Sequence, residues 1–272
     1  MRLADAILDD CLCDPAAALA SDPARCYGLD KAQAQAQLAS LKEWLRVQQT
    51  MLWANRRDAL LLVLQGPDCS GKNGVIRRVL GGLDPLGLSP HSFQAPSEEE
   101  RRQDFLRRYR ERLPVPGMLG VFNRSYYEAL VSDLRDGLCS PADIPQRQSA
   151  ILAFERELPA ASIQPLKCYL QLSAGEQKQR LHRRLEQPEK RWKLTLGDLQ
   201  DHRNFAQQQA QWAAVLSKSH SREAPWYVIP ADHRWLRDLL LASLLARAFE
   251  RLALDWPARP APFTHADLDS TP

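Results

Sequence analysis

The 272-residue sequence lacks both a long apolar run and a strong excess of one charge. No stretch approaches the roughly 18–20 apolar residues that a helix needs to span a bilayer, so no membrane segment is predicted. Lysine and arginine number 36 against 33 aspartates and glutamates, which gives a net charge of +3. This balance excludes a general nucleic-acid binder and a membrane-surface binder. Any basic site must therefore be local.

Metal-ligand and disulfide patterns are also missing. The six cysteines, at positions 11, 13, 26, 69, 139 and 168, have neither CxxC spacing nor the density of a disulfide framework. The six histidines have no metal-ligand spacing. Residues 1–14 mix aspartates into apolar positions and lack the basic and apolar regions of a secretory signal. We therefore predict a reduced, cytoplasmic protein.

What the sequence does contain is an alternation of short apolar runs with helical stretches. Runs typical of strands buried on both faces occupy 59–64, 118–122, 167–172 and 226–229, with a further strand expected near 91–94. This alternation predicts an α/β fold in which helices flank a parallel sheet. The predicted parts are an N-terminal helical extension, 1–57, one α/β domain, 58–256, and a tail, 257–272.

Helical periodicity is clearest towards the two ends of the chain. Leucine spacing predicts an amphipathic helix within 31–57 and a last helix over about 234–253. Between them, Ser97 and Glu100 have the spacing of a capping box. They predict the start of a helix that carries six arginines between positions 101 and 112, most of them surface groups.

A glycine-rich loop directly follows the first apolar run. Its sequence, GPDCSGKNG at 66–74, fits G-x-x-x-x-G-K between a strand and a helix. In that context backbone N–H groups form an anion nest, glycines admit a phosphate closely and the lysine adds positive charge. The alternative is a glycine-containing turn with an incidental lysine. The predicted phosphate-binding residues are Gly66, Cys69, Ser70, Gly71, Lys72, Asn73 and Gly74.

The residues around this loop also suggest where a metal ion would bind. Asn73 stands where a Ser or Thr hydroxyl would hold Mg²⁺, so a ligand must come from elsewhere. Asp68 lies inside the loop, and Glu128 follows the tip of the second buried strand. That tip carries Asn123 and Arg124, and in such folds it faces the phosphates. Arg124 can fork two phosphate oxygens; without the loop it would be a surface residue of a turn.

The net positive charge of the chain is concentrated between Glu176 and Lys193. This segment carries +4, which leaves the remainder of the chain at −1. Pro188 interrupts its helix, and Trp192 stands among cations. The pattern is typical of a mobile lid that closes over phosphates, here over about 176–205. The alternative is a solvated helix face.

Taken in order, five segments resemble the polyphosphate kinase 2 family from about residue 38 to 256. They are GPDCSGKNG (66–74), SFQAPS (92–97), FNRSYYE (122–128), QPEKRWKL (187–194) and APWYVIPADHRW (224–235). The resemblance implies a phosphate-loop kinase fold similar to thymidylate kinase. It also implies reversible, Mg²⁺-dependent phosphoryl transfer between inorganic polyphosphate and a nucleotide, in line and without a covalent enzyme intermediate.

The resemblance also assigns roles to residues of this sequence. Asp68, Lys72, Arg124 and Glu128 are the implied catalytic group, with Asp68 and Glu128 holding the metal. The resemblance also implies that Arg191 and Lys193 are lid cations. Asn123, and Arg184 of the basic segment, are further residues predicted to bind phosphate. Residues 204–208 stand where the family usually has a Trp and two acids.

The resemblance further narrows the substrates and the assembly. Asn123 followed by an SxYE-like run looks like the subgroup that phosphorylates AMP as well as ADP. Adenine nucleotides are the expected partners, with guanine nucleotides as a second option, and a homodimer or homotetramer is expected. An ATP-dependent nucleotide kinase and a non-catalytic nucleotide- or polyphosphate-binding protein remain alternatives.

Overall fold

One sheet of five parallel strands, in the order β2-β3-β1-β4-β5, lies at the centre of the computed structural model. The structure describes residues 2–258 and 260–270. The strands are β1 (Ala59–Gln65), β2 (Leu88–Ser92), β3 (Leu119–Asn123), β4 (Ile163–Gln171) and β5 (Trp226–Pro230). The predicted α/β fold with a parallel sheet is confirmed. The further strand is present, at 88–92.

Helices cover both faces of this sheet. They are α1 (Asp5–Asp10), α2 (Lys31–Asn55), α3 (Lys72–Val79), α4 (Glu98–Arg101), α5 (Arg107–Arg110), α6 (Glu128–Arg135), α7 (Ile144–Glu157), α8 (Ala174–Glu186), α9 (Pro188–Arg191), α10 (Leu196–Arg203), α11 (Phe205–Ser219), α12 (Arg234–Arg251) and α13 (His265–Asp269). Within the described ranges, no helix combines the length and the apolar character needed to cross a membrane.

The apolar run of β1 forms the middle of the core. All seven of its residues are buried, as expected of a strand with helices on both sides. Leu60, Leu62 and Leu64 join the core on the face where α2 and α12 pack. Leu61 and Val63 join the core on the opposite face. The period of two along the strand therefore divides one continuous apolar run between two cores.

Strand β4 starts earlier than its apolar run suggests. It begins at Ile163 and contains Pro165. Strand β5 pairs with β4 only from Lys167 onwards, so β4 has a free edge at Pro165. The missing N–H of proline faces that edge and removes no hydrogen bond from the sheet.

The prediction of one arginine-rich helix after Ser97 is wrong. The capping box is present, with the Glu100 N–H donating to Ser97 Oγ, but the helix that it starts, α4, has a single turn. The side chain of Asp104 accepts a hydrogen bond from the Leu106 N–H and so competes with continued helical pairing. The chain then forms a second single turn, α5, and the arginines are divided between two short helices and their flanking turns.

The N-terminal segment covers an edge of the sheet. Leu12 forms an antiparallel bridge with Tyr227, and the Val228 N–H donates to the Cys11 carbonyl at 2.7 Å. Farther along the chain, α2 follows the Asp30 cap and ends where Arg56 takes a left-handed conformation. It packs against α12, on which most positions are buried. The division at residues 57 and 256 stays a prediction.

Candidate active site

The loop between β1 and α3 has the backbone that the glycine spacing predicts. Gly66 and Gly71 have φ of +143° and +95°. A Cβ at Gly66 would lie 2.6 Å from the Leu170 carbonyl oxygen, and one at Gly71 would lie 2.2 Å from Nη1 of Arg237. Both positions therefore require glycine. Cys69 also has a left-handed φ, +69°, which places a strained residue at the middle of the loop.

Lys72, the first residue of α3, points back along this loop. Its Nζ donates to the Gly66 carbonyl at 2.7 Å and to the Pro67 carbonyl at 3.3 Å, and its side chain is buried. Burial lowers the pKa of Lys72, and the charge of Asp68 opposes that shift. The ammonium group is thus held by uncharged carbonyls and is available to an anion that enters the loop.

Asp68 and Arg124 form an ion pair across the tips of β1 and β3. Arg124 Nη2 lies 3.0 Å from Asp68 Oδ1, and both side chains are about one-third exposed. Burial favours a higher pKa for Asp68, but the charges of Lys72 and Arg124 outweigh it and hold the pKa below its ordinary value. Asp68 is consequently a carboxylate at neutral pH. Arg124 has a left-handed φ of +62°.

Asn123 and Asn73 pair beside the loop. Asn123 Nδ2 donates to Asn73 Oδ1, and also to Ser92 Oγ at 3.2 Å. Among the described residues Asn123 Oδ1 is buried with no hydrogen-bond partner. The two amides occupy positions where phosphate-loop enzymes often place a hydroxyl and a carboxylate. The pair supplies oxygen atoms at this point without negative charge.

Glu128 begins α6 and faces the same region. It accepts a hydrogen bond from Ser132 Oγ one turn later. With its amide turned to satisfy all its partners, Gln65 at the end of β1 donates to Glu128 Oε1 at 2.8 Å. The carboxylate is thus fixed by neighbours on β1 and α6.

Two cavities meet at these residues. A small cleft of about 40 Å³ is lined by the first loop residues, Gly66 to Asp68. A larger cavity of about 320 Å³ lies between the loop after β2 and helix α6, with Phe93 and Pro96 among its walls. Arg124, Glu128, Ser132 and Arg135 line both. The site therefore has a phosphate-sized compartment joined to one of small-molecule size.

Comparison with known proteins assigns the family. The sequence profile described as Polyphosphate kinase 2 matches residues 28–254. The chain belongs to this family. Our predicted resemblance is therefore confirmed, with a match that starts ten residues earlier than we expected.

Individual relatives cover most of the chain. It is 39% identical over 220 residues to an AMP/ADP-polyphosphate phosphotransferase of Meiothermus ruber, which covers 81% of this chain and 82% of that protein. An ADP-polyphosphate phosphotransferase of Rhodopseudomonas palustris is 35% identical over 221 residues, 77% of this chain and 76% of that one. The crystal structure of Polyphosphate Kinase 2 from Arthrobacter aurescens superposes with a TM-score of 0.86 at 35% identity, and covers 92% and 90% of the two chains.

The three cations predicted to bind phosphate in the basic segment divide into two groups. Arg184 lies 3.4 Å from Asp198. Its charge also lowers the pKa of Asp68, although less than the charges of Lys72 and Arg124 do. Arg184 therefore lies on the side of its segment that faces the loop. Arg191 instead donates to the Leu185 carbonyl at 2.7 Å, and Lys193 Nζ lies 5.0 Å from the ring centre of Trp192. Both side chains are exposed, and the contacts found for them lie within their own segment.

Sequence reasoning missed an ion pair that connects this segment with the site. Arg135 at the end of α6 lies 3.0 Å from Asp201 of α10, and Gln208 donates to Asp201 at 2.6 Å. Burial raises the pKa of Asp201, and the charge of Arg135 opposes that shift. The helical period could have indicated Arg135 as a site residue, because it lies two turns after Glu128 on the same face of α6. Nothing in the sequence brings Asp201 beside it.

The donor set suits magnesium held jointly by protein and substrate. Among the residues that the structure describes, no three His, Cys, Asp or Glu side chains cluster as a metal site. Asp68 and Glu128 both line the small cleft. Mg²⁺ is commonly bound through one or two carboxylates together with substrate phosphates, so these two side chains fit that mode of binding.

Proposed function

We propose that this chain transfers a phosphoryl group between inorganic polyphosphate and AMP or ADP. The observation that carries the proposal is the meeting of Asp68, Lys72 and Arg124 at a phosphate loop whose small cleft adjoins a cavity of about 320 Å³. The names of the two relatives described above support the same substrates. The finer fold assignment, a thymidylate-kinase-like phosphate-loop kinase with a helical lid, belongs to this proposal.

Each charged group has a separate task. The loop N–H groups and Lys72 hold the phosphate that is transferred, because both present positive charge at the start of α3. Arg124 binds the acceptor nucleotide's phosphate through its planar guanidinium group. Asp68 and Glu128 would hold Mg²⁺, which when bound neutralises phosphate charge. Gly66, Gly71 and Gly74 allow the close approach of the phosphate.

The transfer is a direct displacement. An ionised phosphate oxygen of AMP or ADP attacks the terminal phosphorus of polyphosphate, and the bond to the bridging oxygen breaks. The shortened polyphosphate leaves with that electron pair as a phosphate anion. The nucleophile is already deprotonated at neutral pH, so no side chain has to act as a base. Positioning and charge neutralisation supply the catalysis.

The remaining parts of the proposal rest on the sequence motifs and on the family resemblance. Arg184, Arg191 and Lys193 clamp the polyphosphate chain when the lid closes, and closure keeps water from the donor. Cys69, Ser70, Asn73 and Asn123 complete the phosphate site. We propose guanine nucleotides as secondary acceptors, a homodimer or homotetramer as the assembly and the cytoplasm as the location.

The test is a nucleotide profile with polyphosphate as the donor. The purified chain is incubated with Mg²⁺, polyphosphate and AMP, ADP, GMP or GDP, and the products are separated by anion-exchange chromatography. We expect ADP and ATP from the adenine nucleotides, and loss of both products in Lys72→Ala. In a parallel incubation ATP replaces polyphosphate, and ADP formed from ATP and AMP there but not with polyphosphate would identify an ATP-dependent kinase. Binding of polyphosphate without any turnover would identify a binding protein.

A further inference from the structure

Two buried guanidinium groups contact the side of the phosphate loop that faces the protein interior. Arg180 of α8 is 3% exposed, and Arg237 of α12 is not exposed at all. Both donate to the carbonyl oxygen of Ser70, Arg237 Nη1 at 2.7 Å and Arg180 Nη1 at 3.2 Å. The predicted site includes neither arginine. Their shared acceptor is the residue that directly precedes Gly71.

The contact with Ser70 fixes the direction of one amide. In a trans peptide the carbonyl and the following N–H point in opposite directions within one plane. The Ser70 carbonyl points towards the two arginines, so the Gly71 N–H points away from them, towards the outer side of the loop. A hydrogen bond from a cation to the carbonyl also polarises the amide and makes its N–H a stronger donor.

Arg237 is itself held in place by charge and by packing. Its Nε and Nη2 donate to Asp238 Oδ1 at 3.0 and 2.7 Å, and Asp238 is also paired with Arg78. A Cβ at Gly71 would lie 2.2 Å from its Nη1. The guanidinium group thus occupies the volume that a side chain at Gly71 would need, and the loop closes directly on it.

Arg180 connects the loop to the segment that follows β5. Its Nη1 donates to the Cys69 carbonyl at 2.9 Å, and its Nη2 donates to the carbonyls of Ala231 and Asp232 at 2.6 and 2.9 Å, just after β5. Its Nε pairs with Glu176 at 2.7 Å. One side chain therefore ties the left-handed residue of the loop to the carboxyl end of the sheet.

The charge beneath the loop is positive. The buried Arg180 and Arg237 each pair with a carboxylate, Glu176 and Asp238. The part-exposed Arg183 and Arg78 pair with the same two carboxylates, so the cluster holds two more cations than carboxylates. Burial lowers the pKa of Arg237 to about 10, which leaves it a cation at neutral pH. A buried positive charge close to an anion site is screened by salt much less than an exposed one.

We propose that Arg237, with Arg180, is a positioning residue for phosphate binding. The pair directs the Gly71 N–H at the phosphate and supplies positive potential from beneath the loop. The inference rests on the proposed function insofar as the bound anion is a polyphosphate. It differs from a purely structural role because it predicts a selective loss of affinity for phosphate chains.

The experiment compares two arginines of the same helix. Arg247, ten residues farther along α12, is also buried, but its guanidinium group pairs with Asp9 on α1. Arg237→Met and Arg247→Met each remove one such cation and keep an unbranched side chain. Arg237→Lys keeps the charge but loses the planar group. For each variant we measure the melting temperature, calorimetric binding of inorganic tripolyphosphate, and KM for polyphosphate and for AMP.

We expect Arg237→Met to weaken tripolyphosphate binding and raise KM for polyphosphate by about tenfold or more, as for loss of a charge-assisted contact. KM for AMP should stay within about twofold, and Arg237→Lys should recover part of the loss. Arg247→Met should bind like the wild type. If Arg237→Met does not fold, Arg180→Met tests the same carbonyl contact.

Equal binding by the wild type and Arg237→Met would overturn the inference. An equal loss in Arg247→Met would overturn it as well, because the effect would then follow general stability. No binding of tripolyphosphate by the wild type would exclude the loop as its site and end the proposal. Binding without phosphoryl transfer would contradict the proposed function alone and leave this inference standing.

Discussion

The basic segment of the sequence contains both buried and exposed arginines, and the two kinds make different contacts in the structure. Arg180 and Arg184 lie at the inner end of the segment, and Arg180 is buried against backbone carbonyls of the phosphate loop. Arg191 lies at the outer end, exposed, and contacts its own segment. The net charge of a segment therefore does not predict which of its cations are buried against the loop and which are exposed and available to a ligand.

The difference follows from what each arginine can donate to. A buried guanidinium group must satisfy its donors, and the carbonyls of residues 69, 70, 231 and 232 do so for Arg180. An exposed one is satisfied by water and can exchange water for phosphate at little cost. Arg180 thus fixes the geometry of the loop, whereas the exposed Arg191 is suited to bind phosphate. Substitutions at buried and at exposed positions should therefore distinguish the effect of loop geometry from the effect of exposed positive charge.

The largest effect on the transfer rate is expected at Lys72, which is buried in the loop and contacts the phosphate in our proposal. Lys72→Met should lower the transfer rate by roughly 10²–10³-fold, because it removes a preorganised positive charge from a buried position. The melting temperature should not fall, since the ammonium group now donates only to two carbonyls and its burial is costly. Initial rates and a thermal melt measure both.

A Lys72→Met variant that retains more than about a tenth of the wild-type rate would contradict this role, given the magnitudes cited. Lys218→Met, an exposed cation of α11 outside the predicted lid, is the matched control and should leave the rate unchanged. A fall in both variants would indicate that bulk positive charge, and not position, sustains catalysis.

A smaller effect on phosphate binding is expected at Gly71, where a substitution changes the geometry of the loop and removes no charge. Gly71→Ala combines backbone strain at φ +95° with a Cβ that collides with Arg237. We expect a loss of about 2–4 kcal/mol in the free energy of unfolding and a fall in tripolyphosphate affinity. Denaturant titration and calorimetry measure the two quantities.

Gly82→Ala is the control that isolates strain from collision. Gly82 has a similar φ, +103°, with no atom within 4 Å of its Cβ position. It should cost about 1 kcal/mol and leave tripolyphosphate binding intact. Equal losses of stability in the two variants would mean that Arg237 moves freely and does not fix the loop.

Much of the fold could be read from the sequence because its signals are local. The apolar run of β1 and the glycine spacing after it predict a buried strand, a loop and a helix, and each is present. The capping box at Ser97 was also correct, but the length of its helix was not, because Asp104 hydrogen bonds to the Leu106 N–H. Local patterns specify where an element starts more reliably than how far it continues.

The support beneath the loop could not be predicted, because it depends on contacts between distant positions. Arg180 and Ser70 are 110 residues apart, and Arg237 and Ser70 are 167 apart. On α12, Arg237 directly follows the buried Leu236, so periodicity gives no reason to bury its charge. Only the packing of α8 and α12 against the carboxyl end of the sheet brings these side chains to the loop.

The smallest effect on KM is expected at the exposed cations of the proposed lid, and salt should distinguish this effect from that of the buried Arg237. Changing Arg191 and Lys193 together to Gln should raise KM for polyphosphate by about tenfold or less and leave the melting temperature unchanged, because both side chains are exposed. In about 0.5 M salt this difference from the wild type should largely vanish, since exposed charges are screened over a few ångströms. The defect of Arg237→Met should persist in the same salt. If both increases in KM disappear in salt, Arg237 contributes only screened electrostatic attraction. If both persist, Arg191 and Lys193 make close contacts with polyphosphate that salt does not screen.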